Sequence, residues 1–171
     1  IPWFAQLLQA ENNIIDTNET YSKQTFRNRF YILTSNGILE HSIPITKPDG
    51  NHTKTKDILI YEQDKNFAKI LTSIETAYYS SPFFEYFKDE LYKLFKIKYS
   101  SLVELCNTSI AYIENILRIS INLQFAPEYI FQQDELTDLR SSLSPKNKNF
   151  QTFHAPPYQQ VFSHKFSFAP N

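Results

Sequence analysis

Apolar residues recur along this chain with two different periods, and the change from one to the other lays out most of the elements. Phe4, Leu7 and Leu8 stand at i, i+3 and i+4 behind Pro2, a residue suited to a first helical turn, so a helix is expected over 2–10. A helix that short is marginal alone and needs something to dock on. Ile14 and Ile15 mark a short strand over 13–16, and residues 17–29 are polar almost throughout. The strongest β signal comes next. Phe30-Tyr31-Ile32-Leu33 and the run from Ile38 to Ile45 flank Ser35-Asn36-Gly37. Asn-Gly between apolar runs predicts a hairpin, because both residues tolerate positive φ. Pro44 has no N–H and should end that ladder or lie at an edge. Ile58-Leu59-Ile60-Tyr61 reads as a further strand.

The period then lengthens to 3.6. Phe67, Ile70, Leu71, Ile74 and Tyr78 keep it, which predicts a helix over 67–78 with Ile70, Leu71 and Ile74 buried. Ser80-Ser81-Pro82 interrupts the pattern, and Pro82 suits the start of a second helix through Tyr86, Leu91 and Leu94. Ser100 or Ser101 is placed to cap a third, which carries Leu102, Leu105, Ile110, Ile113 and Leu117. Ile121 to Phe125 reads as a strand. Residues 132–157 read as irregular apart from a short helix near 136–143, and Pro156-Pro157 breaks the chain before Tyr158. This order does not alternate strictly. The expected fold is therefore α/β or α+β, an irregular mixed sheet with a β-hairpin and a central helical block. No repeat or linker divides residues 1–171, so one domain is expected.

Composition narrows the chemistry more by exclusion than by indication. The 171 residues are 42% hydrophobic and 20% charged, enough to bury a core. Seventeen basic and 18 acidic residues leave a net charge of −1, which argues against a protein that coats DNA by neutralising phosphates. No apolar run approaches the roughly 20 residues of a membrane span. The two glycines, Gly37 and Gly50, are too few and too far apart for a phosphate-cradling loop. The four histidines, 41, 52, 154 and 164, show no zinc spacing, and no metal-ligand set is expected. Cys106 is the only cysteine and sits beside Leu102 and Leu105, where it should act as a small buried hydrophobe and not as a nucleophile. The residues indicate no particular cofactor.

Three polar groups remain as candidates. Gln24-Thr25-Phe26-Arg27-Asn28-Arg29 is the densest, and its two arginines share a face if the segment is extended, able to clamp a phosphate or carboxylate. The same residues read equally as a solvated β-edge, or as a structural ion pair with Asp16 or Glu19. Lys47, His52, Lys54 and Lys56 offer charges to an anion, or form a solvated loop. Glu75 lies within one helical turn of Tyr78 and Tyr79. A carboxylate beside phenols suits a general base or a sugar site, and aromatic residues at that spacing equally suit a core.

Taken together, several blocks resemble the WbqC-like family of bacterial proteins. They are residues 18–29, Ile43-Pro44-Ile45 with Lys47-Pro48-Asp49-Gly50-Asn51, Lys54-Thr55-Lys56-Asp57, the stretch from Ser73 to Phe84, Glu128-Tyr129, Asp138-Leu139-Arg140 with Pro145-Lys146, and Tyr158-Gln159-Gln160-Val161-Phe162. The resemblance implies a part in O-antigen or other surface-polysaccharide (lipopolysaccharide) biosynthesis, on an activated sugar or a sugar-linked acceptor, in the cytoplasm. It points to a transferase-type enzyme whose partner is a nucleotide sugar or another anionic small molecule. Arg27, Arg29 and Lys54 would hold the anion. Tyr21, Gln24, Asn28 and Tyr78 would add hydrogen bonds, and Glu75 would be the general base. The alternative is a non-catalytic scaffold or binding module that contacts other glycan-biosynthesis enzymes. RNA binding through the aromatic and basic residues near 21–31 is the weaker third reading, given the low net charge. Family members usually open with a further strand and continue into a further helix, so parts of both ends are expected to lie outside this chain.

Overall fold

The computed structural model describes residues 2–131, 135–140 and 156–168. The fold is mixed α/β, with short, separate sheets around a block of helices. Helix α1 (Pro2–Gln9) leads into strand β1 (Asn13–Ile15). The hairpin strands β2 (Arg29–Thr34) and β3 (Gly37–Ser42) follow, then β4 (Ile45–Thr46), two 3-10 turns (Gly50–His52 and Thr55–Asp57) and β5 (Leu59–Ile60). Helices α2 (Gln63–Tyr78), α3 (Phe84–Lys96) and α4 (Leu102–Leu117) form the block, and β6 (Leu123–Phe125) closes the regular structure. The irregular mixed β structure takes the form of three two-stranded ladders: β1 parallel to β6, β2 antiparallel to β3, and β4 antiparallel to β5. Among the described residues no helix is long and apolar enough to cross a membrane.

The hairpin turns where Asn36-Gly37 places it, with one difference of mechanism. Thr34 pairs with Gly37, and only Gly37 takes a positive φ, +107°. The Thr34 hydroxyl donates to the Gly37 carbonyl at 2.8 Å and accepts the Asn36 N–H at 3.2 Å, so the turn is tied by a side chain and Asn36 stays out of the left-handed region. Pro44 ends the β2–β3 ladder as expected, and its carbonyl accepts the Tyr61 N–H at 2.9 Å.

Helix α2 starts four residues before its apolar stripe. Its first turn is polar, and Gln63 bonds the Tyr99 N–H and the Ile97 carbonyl across to the α3–α4 connection. Phe67 and Ile70 are buried, whereas Leu71 and Ile74 are only half-buried. The Ser101 hydroxyl caps α4 by accepting the Glu104 N–H at 3.2 Å. The core joins Tyr21, Ile43, Ile58, Phe67, Ile70, Leu94, Tyr99, Leu102 and Leu105, with Phe67 edge-on to Phe95 at 5.2 Å. The short helix expected near 136–143 is absent from residues 136–140, which are irregular, and 141–143 lie outside the described residues.

Candidate functional site

The polar side of the molecule is built where chain segments far apart in sequence meet behind the β1–β6 ladder. Asn18 gives its side-chain amide to the Ala126 carbonyl at 2.9 Å and takes the Lys56 ammonium on its Oδ1 at 2.9 Å. Backbone bonds pair the strip 17–21 with 53–56: Tyr21 N–H to the Thr53 carbonyl, Thr55 N–H to that of Glu19, and Lys56 N–H to that of Thr17. This strip fixes where Glu19 emerges.

Residues 23–28 then curl. Gln24 has φ +59°, the buried Thr25 hydroxyl donates to the Ser22 carbonyl at 3.0 Å, and the Arg27 N–H points back at that hydroxyl. An extended segment would put Arg27 and Arg29 on one face, but the curl separates them. Arg27 turns to Glu19, which takes its Nε at 2.7 Å and its Nη2 at 2.5 Å on the same carboxylate oxygen. Arg29 turns to Glu40 on the neighbouring strand at 3.0 Å, and that carboxylate also accepts the Tyr31 hydroxyl at 2.8 Å. Of the readings of these arginines, the ion pair with Glu19 describes Arg27, and Arg29 pairs with Glu40, not with Asp16 or Glu19.

A third guanidinium enters from beyond β6. Arg140 gives Nη1 to Asp16 at 3.0 Å and to the Ile130 carbonyl at 2.8 Å. Its Nε and Nη2 go to Asp138, at 3.0 and 2.6 Å, and its plane lies 5.2 Å from the Tyr129 ring centre. Asp16 keeps only 5% of its side chain exposed, and it also accepts the backbone N–H groups of Asn18 and Ile130. A carboxylate this buried stands only if charge and hydrogen bonds compensate its lost hydration, and Asp16 has both. The bonds from Arg140 hold the Asp138 carboxyl below the ordinary aspartate range and raise the Arg140 pKa further.

Between these groups lies a cleft of about 400 Å³, lined by Glu19, Ser22, Thr25, Arg27, Tyr129, Asp138 and Arg140. A second hollow of about 260 Å³ lies between the hairpin tip and α2, lined by Thr34, Ser35, Asn36, Leu39, Thr72, Ser73, Thr76 and Ala77. Among the described residues no group of three or more His, Cys, Asp or Glu is placed to hold a metal ion.

Of the residues singled out from sequence, only Arg27 lines the cleft. Tyr21 lies beneath the surface as part of the core, where burial raises its phenol pKa against the opposing charges of Arg27 and Arg29. Asn28 spends its amide on the Ile43 carbonyl at 2.9 Å. Gln24 and Lys54 are exposed, the first shaping the curl and the second at a bridge to Thr20. Glu75 is on the exposed side of α2, where it bonds the Tyr92 phenol and raises that phenol's pKa. The Tyr78 hydroxyl accepts the Leu33 N–H at 3.1 Å and so fastens α2 to the hairpin. The expectation that Glu75 or Tyr78 would reach a pocket shared by Arg27 and Arg29 is therefore not met. All three of the other groups are occupied by neighbours on α3 or the hairpin. Cys106 is half-buried with its thiol donating to the Arg27 carbonyl at 3.9 Å, and burial pushes its pKa up to about 11, a quiet thiol.

Sequence reasoning missed Tyr129, Asp138 and Arg140 as site residues. Their blocks were among those that carried the family resemblance, but nothing in periodicity or spacing brings Arg140 to Asp16, 124 positions earlier.

A profile described as the WbqC-like protein family matches residues 1–169. No curated protein and no solved structure matches the chain.

Proposed function

The chain belongs to the WbqC-like protein family, a membership that suggests a role in surface-polysaccharide biosynthesis, and within that role we propose that it is a transferase-type enzyme. It acts in the cytoplasm on an activated sugar or a sugar-linked acceptor, held in the cleft between Arg27 and Arg140. The observation that carries this reading is the cleft itself. It is concave, of ligand size, and lined by hydroxyl groups, ion-paired side chains and one aromatic ring, where a scaffold would offer a flat apolar patch. Arg27 and Arg140 supply directed donors, Glu19 an acceptor, and Tyr129 a surface for the apolar face of a sugar. Glu75 has no part in this site.

One observation favours the second reading, a binding module that presents a glycan intermediate to other enzymes. Asp138 is held ionised by Arg140, and a carboxyl with a lowered pKa is a poor general base. A thermal-shift screen against a panel of nucleotide sugars, followed by NMR detection of released nucleotide, tests both. The enzyme reading expects one donor to raise the melting temperature and to be turned over. Arg27→Ala and Tyr129→Ala should abolish the shift, and Glu75→Ala should leave it unchanged. Binding without turnover, in the presence of candidate acceptors, would support the module. A flat response across the panel would remove the cleft from consideration.

A further inference from the structure

Arg27, Arg29, Lys88, Lys93, Lys98 and Arg140 each stand beside a carboxylate. Lys23 and Lys47 do not. Among the described residues neither ammonium forms an ion pair. The two lie instead within hydrogen-bonding distance of each other. An ammonium has three N–H donors and no acceptor, so this approach makes no bond and brings two like charges together. An anion between them would turn the same contact into two charge-assisted hydrogen bonds.

The fold fixes the Lys47 side of this contact. Lys47 is half-buried, its Nζ donates to Asn51 Oδ1 at 3.0 Å, and its carbonyl accepts the Gly50 N–H at 3.2 Å. The buried Thr53 ties down the rest of the loop. Its hydroxyl accepts the Asp49 N–H at 2.9 Å and donates to the Gly50 carbonyl at 3.0 Å. Its carbonyl accepts the Tyr21 N–H at 3.0 Å, which joins the loop to the strip that leads into Lys23. Loss of hydration, and then the Lys23 charge, lower the Lys47 pKa, and no carboxylate offsets them. Asp49, the acidic residue closest in sequence, is exposed and makes no ion pair among the described residues. The pair also adjoins the cleft, because Ser22 lines it and Lys23 follows Ser22. Inside the cleft Arg27 and Arg140 are already on carboxylates, whereas one residue from its wall stands positive charge that no carboxylate offsets.

We propose that Lys23 and Lys47 form a phosphate site at the rim of the cleft, in which one phosphate group bridges the two ammoniums. This rests on the reading of the cleft as the site of an activated sugar, whose phosphate the lysines take while its sugar enters the cleft. Asn51 is a positioning residue that holds the Lys47 ammonium in place. Inorganic pyrophosphate offers the same chemistry without a sugar, and the test separates the two sources.

The test is calorimetric titration of the full chain with inorganic pyrophosphate and with a panel of nucleotide diphosphate hexoses, alongside NMR of its lysine side chains. Pyrophosphate should move the Lys23 and Lys47 resonances together. Lys23→Ala and Lys47→Ala should each weaken its binding about tenfold, the loss of one charge-assisted contact. Lys96→Ala, at an exposed lysine of α3, should leave binding unchanged. Without ligand, Lys23→Ala and Lys47→Ala should melt no lower than the native chain, because each removes a like-charge contact; a purely structural role would lower both. One nucleotide sugar should bind more tightly than pyrophosphate and lose affinity in the same two variants. Pyrophosphate binding that ignores both lysines, or that moves neither resonance, would overturn the proposal. A nucleotide sugar that depends on Arg27 but not on Lys23 or Lys47 would overturn it too, and would leave the cleft reading standing. Pyrophosphate binding through the lysines with no gain for any nucleotide sugar would keep the phosphate site and remove the sugar from the cleft.

Discussion

Around Phe67 the chain packs ring against ring, and around Asp16 it packs carboxylate against guanidinium. Phe67 is 1% exposed, edge-on to Phe95 and near Tyr99, in a core that α2, α3 and α4 share with Tyr21, Ile43 and Ile58. The Asp16 side chain keeps 5% of its surface exposed, but its neighbours are Arg140, Asn18 and Ile130, two of them more than 110 positions away. The first region is held by the non-directional removal of apolar surface from water, which tolerates some reshaping. The second is held by hydrogen bonds to charges, each of which is costly to leave unmade. The helical block is therefore a platform, and the charged region is where orientation matters. The two should respond to different insults: volume in one, charge and pH in the other.

The largest effect is expected in the platform. Phe67→Ala should cost about 3–5 kcal/mol in urea unfolding, the range for emptying a buried aromatic site. It should do so equally at neutral and acid pH, since no titrating group touches that energy. A loss under about 1 kcal/mol would mean that the core does not close over Phe67.

That platform was legible in the sequence because helices announce themselves locally. Leu102, Leu105 and Ile110 carry the period of α4, and Ser101 announces its cap. The hairpin was legible for the same reason, although it was Gly37 alone that supplied the positive φ. The cleft was not. Arg27 and Arg29 were read as extended neighbours, and what parts them is the Thr25 hydroxyl and a left-handed Gln24, neither of which has a periodic signature. Glu75 and Tyr78 stood out by their chemistry, but a phenol or carboxylate at helical spacing serves packing as readily as a site, and here Tyr78 bonds Leu33 and Glu75 meets Tyr92. Arg140 needed the pairing of segments 124 positions apart, which is tertiary information.

Next in size is Arg140→Ala, expected to cost about 3 kcal/mol because it strands the buried Asp16 charge. The two backbone N–H groups on Asp16 keep the loss at the low end of what breaking a buried pair costs. The double variant Asp16→Asn with Arg140→Ala should recover part of it. Additive losses in that cycle would show that the two groups are not coupled, and the comparison would lose its second half.

A smaller effect returns to the helices. Ser101→Ala removes the acceptor for the Glu104 N–H and should lower stability by about 1 kcal/mol, with Ser101→Asp close to neutral. Failure of aspartate to substitute would show that the serine is held for packing and not as a cap.

The smallest effect is the most discriminating, because only one region should show it. Arg140 holds the Asp138 carboxyl below its ordinary range, so the folded state keeps its proton off at pH values where the unfolded chain begins to take one up. A depressed carboxylate pKa adds stability that is fully present above the unfolded value of about 3.9 and is lost as pH falls below it toward the folded value. Asp138 keeps 30% of its side chain exposed, so solvent screening limits the contribution to under about 1 kcal/mol. Urea unfolding of the native chain and of Asp138→Asn, run between about pH 6 and pH 3, should show the two curves converging as the pH drops below about 4. The stability offset of Phe67→Ala should stay constant over the same range. A difference for Asp138→Asn that holds constant to pH 3 would mean that Arg140 is oriented by Asp16 and the Ile130 carbonyl alone, with Asp138 a bystander at the rim of the cleft.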